Sequence, residues 1–187
     1  MNKEEIRNRV KARKSLLSEA EKAEAARRVF SRLEQSAAFI LADRVLLYHS
    51  LPDELSTREF IDRWCGRKRF FLPRVNGVNL EILPYDRSRL ALGAFHIEEP
   101  QGDDLADIGD IELMVIPAVA YDRRGNRVGR GKGYYDRLLR GTAATKVGVG
   151  YDFQLLEDDD IDAEPHDVAV DIVITESRRL VIHHCRR

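Results

Sequence analysis

Residues 110–141 read DIELMVIPAVAYDRRGNRVGRGKGYYDRLLRG, and this stretch decides the fold. An apolar run from Asp110 to Asp122 has the length and composition of a buried strand. Residues 123–131 then form a loop, and residues 133–140, GYYDRLLR, begin a helix. A strand feeding a glycine-rich turn feeding a helix exposes backbone N–H groups at the positive end of the helix, which suits an anion. Gly129, Gly131 and Gly133 alternate with Arg130 and Lys132, so two cations flank a main chain that a phosphate can approach closely. The plain alternative is a surface turn whose cations are only solvated. The loop is not a P-loop, because Gly133 stands where Ser or Thr would follow Lys132. Nor is it a dinucleotide fingerprint, whose spacing would need glycine at Tyr134.

Outward from this unit, strands and helices alternate. Ile6, Val10 and Leu17 recur at helical intervals in a first helix over residues 3–17. Ser18 and Glu21 form a capping box for a second, which Ala26, Val29, Phe30, Leu33 and Ala37 continue. Val45 to Tyr48 reads as a buried strand, and Ser56 with Glu59 caps a short helix that Gly66 closes. KRFFLPRV and VNLEILPY flank Asn76-Gly77 as a tight hairpin. Residues 92–110 are acidic and punctuated by glycine and proline, as surface loops are. Two more strands follow, in KVGVGYD and in DIVITE near the end. This order predicts an α/β fold: a mostly parallel sheet with helices on both faces in three αβα layers, two N-terminal helices and an inserted β-hairpin. Residues 1–187 are expected to form a single domain.

Bulk properties narrow the function. The chain has 187 residues, 43% hydrophobic and 34% charged, with a formal net charge of -1. That balance argues against a general nucleic-acid binder, and no apolar run approaches the ~18 residues of a membrane span. The opening MNKEEIRNRVKARK has no apolar core of a secretory signal, so a cytoplasmic location is expected, with Cys65 and Cys185 as unpaired thiols. His183, His184 and Cys185 sit on adjacent positions of an extended tail, where side chains alternate faces, and receive no metal role.

PAVAYDRRGNRVGRGKGYYDRLL resembles the signature of the 5-formyltetrahydrofolate cyclo-ligase family, also called 5,10-methenyltetrahydrofolate synthetase. Lys3 with Arg7, YHSLPDELST, FLPRV, HIEEP and HDVAVDIVIT are similar to family segments in the same order, over almost the whole chain. Ala118 and Tyr121 depart from the family's usual Gly and Phe. The resemblance implies an ATP- and Mg²⁺-dependent cyclisation, in which the formyl oxygen is phosphorylated, N10 attacks the activated carbon and phosphate leaves. It implies that Arg130 and Lys132 hold the transferring phosphoryl group. Lys3, Arg7, Gly129, Gly131, Gly133, Tyr134 and Tyr135 would bind nucleotide, while Glu54, His49 and Tyr134 would contact folate. Asp136 and Asp171 would hold Mg²⁺. Asp136 also has a reading without metal, as a first-turn carboxylate paired with Arg140. Tyr135, with Leu138 and Leu139, also makes a core-facing stripe. The resemblance leaves Lys11, Arg13 and Lys14 as a solvated basic face. The expected partners are small molecules, with neither nucleic acid nor membrane, and the chain is expected as a monomer or a dimer. Two rival readings are a nucleotide-binding αβ protein without folate chemistry and an RNA-binding basic helix.

Overall fold

The computed structural model describes residues 1–93, 96–158 and 160–183. In chain order, the helices are α1 (Lys3–Lys14), α2 (Glu19–Glu34), α3 (Ala37–Leu41), α4 (Arg58–Trp64) and α5 (Tyr134–Leu139). The strands up to the glycine-rich loop are β1 (Arg44–Leu46), β2 (Arg69–Asn76), β3 (Asn79–Pro84), β4 (Leu90–Leu92), β5 (Glu98–Pro100), β6 (Leu113–Pro117), β7 (Ala120–Asp122) and β8 (Arg127–Val128). Beyond it come β9 (Thr145–Val149), β10 (Leu155–Leu156), β11 (Ile172–Ile174) and β12 (Arg179–Val181).

Seven strands form the main sheet in the order β12-β11-β9-β6-β1-β2-β3. The five inner strands run parallel, and the two edges, β12 and β3, are antiparallel. Inner strands are buried on both faces, which is why they read as unbroken apolar runs. Val45 and Leu47 meet α2, α3 and α4 on one face through Phe30, Leu33, Phe39 and Phe60. Leu46, Met114 and Ile116 turn to the other face, where Tyr121 and Leu139 cover them. The mostly parallel sheet with helices on both faces is therefore as expected. No helix among the described residues is long and apolar enough to cross a membrane.

Several local expectations give way. The apolar run of residues 110–122 is two strands: Pro117, with no N–H for a ladder, ends β6, and β7 pairs in a separate three-stranded sheet, β10-β7-β8. The carboxylate of Asp122, fully buried, accepts from the N–H groups of Arg124, Asn126 and Ile161, so the expected loop opens with an ordered turn. α1 packs Ile6 and Val10 on this smaller sheet against Ala120 and Val128. The second helix stops at Glu34, because the Ser36 hydroxyl accepts from Phe39 N–H and starts a new helix. Ser56 does not cap α4; the N-cap is Thr57, whose hydroxyl donates instead to the Tyr48 carbonyl.

The capping box of Ser18 and Glu21 forms as predicted. In the hairpin, Asn76 pairs with Asn79, so the two-residue loop is Gly77-Val78, one position later than expected. Gly77 has φ 61°, which the first central position of a type II′ turn requires. Cys65 is an exposed free thiol, whereas His184 and Cys185 lie outside the described residues.

Candidate active site

The chain runs from β1 to β2 on one side and later enters β6 on the other side of β1. Loops leaving the carboxyl ends of β1 and β6 therefore diverge, and a crevice opens between them at the point where strand order reverses. A cleft of about 390 Å³ lies there. Tyr48, His49, Leu51 and Glu54 follow β1, Pro117 ends β6, and Ala118 and Val119 follow it. The glycine-rich loop supplies Gly129, Arg130, Lys132 and Gly133, and the start of α5 supplies Tyr134, Tyr135 and Asp136. Pro73, Val75 and Leu80 from the hairpin make an apolar wall, and Glu98 and Glu99 make an acidic one.

Gly131 at φ 97° and Gly133 at φ 70° occupy the left-handed region, where a side chain would be strained. Gly129 does not: a Cβ there would meet nothing closer than 3.7 Å. Two of the three glycines are thus needed for conformation. Arg130 reaches across the cleft mouth, its Nη2 donating to Asp53 Oδ1 at 2.8 Å and Glu54 Oε1 at 3.3 Å. Burial would lower the Arg130 pKa, but these carboxylates outweigh it and hold the guanidinium more firmly protonated. Glu54 is itself fixed, because its Oε2 accepts from Leu51 N–H at 2.9 Å while Glu54 N–H donates to the Leu51 carbonyl.

The remaining predicted residues fall in three places. Tyr134 and Tyr135 both line the cleft, and Tyr135 also packs against the core beneath the sheet. Asp136 lines it too, with Oδ1 accepting from Arg127 Nη2 at 2.6 Å and Val168 N–H at 3.2 Å; its ion-pair partner is Arg127, not Arg140. Lys3, Arg7 and Asp171 do not line the cleft. Lys3 Nζ donates to Asp167 at 2.7 Å and Glu164 at 3.2 Å, and Arg7 Nε donates to the Gly129 carbonyl at 3.0 Å, behind the loop. Asp171 lies beside β9, accepting from Lys146 N–H at 2.8 Å.

Two cleft cations were missed from sequence. Lys14 has a side chain only 10% exposed and stands 3.7 Å from Asp53; burial lowers its pKa, with Asp53 opposing. Its signal was positional: eleven residues after Lys3 is three helical turns, roughly 20° away on the same stripe. Arg127, 3% exposed, sits in β8 where a solvated loop was expected, so no sequence signal marked it. Among the described residues, the group of three carboxylate and imidazole side chains close enough to share an ion is Glu164, His166 and Asp167, into which Lys3 already projects.

A cleft at the switch point of an open, mostly parallel sheet is where α/β enzymes bind small molecules. A family model described as the 5-formyltetrahydrofolate cyclo-ligase family matches residues 1–176, and the chain belongs to that family of ligases in folate metabolism. The 5-formyltetrahydrofolate cyclo-ligase of Escherichia coli is 29% identical over 179 residues, covering 90% of this chain and 97% of the relative. A 5,10-methenyltetrahydrofolate synthetase from Aquifex aeolicus, solved by NMR, is 33% identical, with a TM-score of 0.89 over 100% of this chain and 96% of that one. The synthetase from Mycoplasma pneumoniae shares the fold at 23% identity, with a TM-score of 0.74 over 94% and 99% of the two chains.

Proposed function

We propose that this chain converts 5-formyltetrahydrofolate to 5,10-methenyltetrahydrofolate at the expense of ATP, releasing ADP and phosphate. The observation that carries this reading is the meeting of Glu54 with Arg130 in one cleft, 3.3 Å apart; on this reading the carboxylate holds folate and the cation holds the phosphoryl group. The formyl oxygen attacks the terminal phosphorus, and ADP leaves. Arg130 and Lys132 neutralise the equatorial oxygens, and the backbone of Gly129 to Gly133 lets the phosphate come close. N10 then bonds to the activated carbon, and the carbon–oxygen bond breaks to release phosphate. Glu54 accepts from the N–H donors of the pterin, with His49 beside it and Tyr134 against the folate, while Tyr134 and Tyr135 also meet the nucleotide. Arg7 meets nucleotide phosphates from behind the loop, and Lys3 joins it on exchanging Asp167 and Glu164 for phosphate.

The donor set suits Mg²⁺ in part. Asp136 is a hard oxygen ligand in the cleft whose Oδ1 is taken by Arg127 and Val168, which leaves Oδ2 for a hydrated cation. Asp171, outside the lining, would take part only through water. Mg²⁺ bound there would offset phosphate charge.

The test is an absorbance assay for methenyl product from purified protein, 5-formyltetrahydrofolate, ATP and Mg²⁺. Lys132→Ala should lower kcat by about 10²–10³, the usual loss for one group that stabilises transition-state charge. No product from the unmodified chain refutes the reading.

A further inference from the structure

His49 differs from the other polar groups of the cleft in having one ring nitrogen engaged and one idle. It follows β1 on the cleft wall, with its side chain 8% exposed. Nδ1 faces Glu98 Oε2 at 3.5 Å, and the same carboxylate oxygen accepts from Arg58 Nη1 at 3.2 Å. Arg58 from α4 thus anchors Glu98 from β5, and Glu98 orients the imidazole. This contact favours the tautomer with its proton on Nδ1, which leaves the lone pair on Nε2. Nε2 is not among the buried side-chain nitrogens and oxygens lacking a partner, which among the described residues are Trp64 Nε1, Arg127 Nε and Tyr151 OH. Since Nε2 also makes no hydrogen bond to a described residue, it is open to the cleft. Burial lowers the His49 pKa, Arg58 lowers it further, and Glu98 opposes both; the net shift is downward and favours the neutral ring. The other charged groups of the cleft near this wall are Glu54, Glu99, Lys14 and Arg130.

Cyclisation needs a proton acceptor. When the N10 lone pair bonds to the phosphorylated formyl carbon, N10 acquires a fourth bond and must lose its hydrogen before the carbon–oxygen bond breaks. We propose that His49 is the catalytic base of this step: Nε2 takes the N10 proton as the new carbon–nitrogen bond forms. The pair on N10 then closes the N5–C–N10 amidinium as phosphate departs with the carbon–oxygen pair. The imidazolium returns its proton to solvent. Glu98 and Arg58 act as positioning residues. This inference rests on the cyclo-ligase reading above.

The test is the pH dependence of kcat together with rapid-quench measurement of ADP and methenyl product. For the unmodified enzyme, kcat falls on the acid side with an apparent pKa below the ordinary histidine value. His49→Gln should lose that limb and lower methenyl formation about 10²-fold, the scale of general-base catalysis, while the first-turnover release of ADP persists. Glu98→Gln removes a negative neighbour and should move the limb to lower pH; Arg58→Ala removes a positive one and should move it higher. These two variants keep the test decisive should His49→Gln fold poorly. An unmoved limb in both, or loss of the ADP burst in His49→Gln, overturns the inference while the cyclo-ligase reading stands. Absence of methenyl product from the unmodified enzyme overturns both.

Discussion

Tyr121→Phe deletes one oxygen from the centre of the fold, and the structure sets the size of the loss. Tyr121 is fully buried beneath the main sheet. Its hydroxyl donates to the Ile116 carbonyl at 2.7 Å, near the end of β6, and accepts from Val149 N–H at 3.1 Å, at the end of β9. It therefore sews together two parallel strands where they hand the chain to the cleft. Phenylalanine fills the same slot, so the apolar contribution is unchanged. What disappears is a pair of hydrogen bonds, leaving a buried N–H without this acceptor, at a cost of about 1–3 kcal/mol. For a chain of this size that lowers Tm by about 2–12 °C. Urea unfolding should show a lower midpoint with an unchanged slope, since the exposed area on unfolding is the same. Activity at 25 °C should change little, because no cleft side chain is removed. Gly148→Ala probes the same contact from the other side: a Cβ at Gly148 would sit 2.3 Å from the Tyr121 ring, and overpacking there costs about 1–3 kcal/mol. A Tyr121→Phe protein as stable as the original, or more so, would refute the reasoning, because the hydroxyl would then be a net desolvation cost.

Two further outcomes follow from side chains that hold backbone. Lys68 Nζ donates to the Phe39, Ile40 and Ala42 carbonyls at the end of α3, so Lys68→Met should lower stability by about 1–2 kcal/mol, read as a lower urea midpoint, as the last carbonyls lose their cap. Asp152 accepts from the hydroxyls of Thr175 and Ser177; burial would raise its pKa, but these bonds and the Ser177 N–H outweigh it, so the folded value lies below the unfolded one. Its contribution is complete above the ordinary aspartate pKa of about 3.9 and is lost as pH falls through the lowered folded value. Asp152→Asn should flatten this part of the stability profile in an acid unfolding series, and an unchanged slope would show that Asp152 titrates alike in both states.

The sheet was legible because parallel strands buried on both faces leave long apolar runs, and the run around Leu113 to Ile116 is unmistakable in composition. What such a run does not carry is where the chain changes sheets. Ala120 and Tyr121 continue the same run after Val115 and Ile116, and it is their pairing with Val128, Arg127 and Leu155 that shows they belong to a second layer. The break after Glu34 escaped for a similar reason. Ala37 keeps the helical period across Ser36, while the interruption is a hydroxyl choosing a local N–H, a choice that periodicity does not record. Ser56 failed in the opposite sense: its spacing to Glu59 fits a capping box, but the neighbouring Thr57 hydroxyl was drawn to the buried Tyr48 carbonyl, and that long-range bond set the start of α4.

For the site, local chemistry was legible and charge balance was not. Alternating glycines and cations suggest an anion site from sequence because the whole device lies within residues 129–133, and the cleft they line supports that reading. The carboxylates that hold Arg130 come from positions 53 and 54, and nothing in either segment signals the other. Their meeting changes what the loop is: Arg130 is occupied by Asp53 and Glu54 before any ligand arrives, so a phosphate gains that cation only by displacing them. Glu54, once displaced, is available to the donors of a pterin, so on the proposed reading each substrate loosens the partner that the other requires. Lys14, buried against Asp53 from α1, is the cation left to receive that carboxylate when Arg130 turns to phosphate.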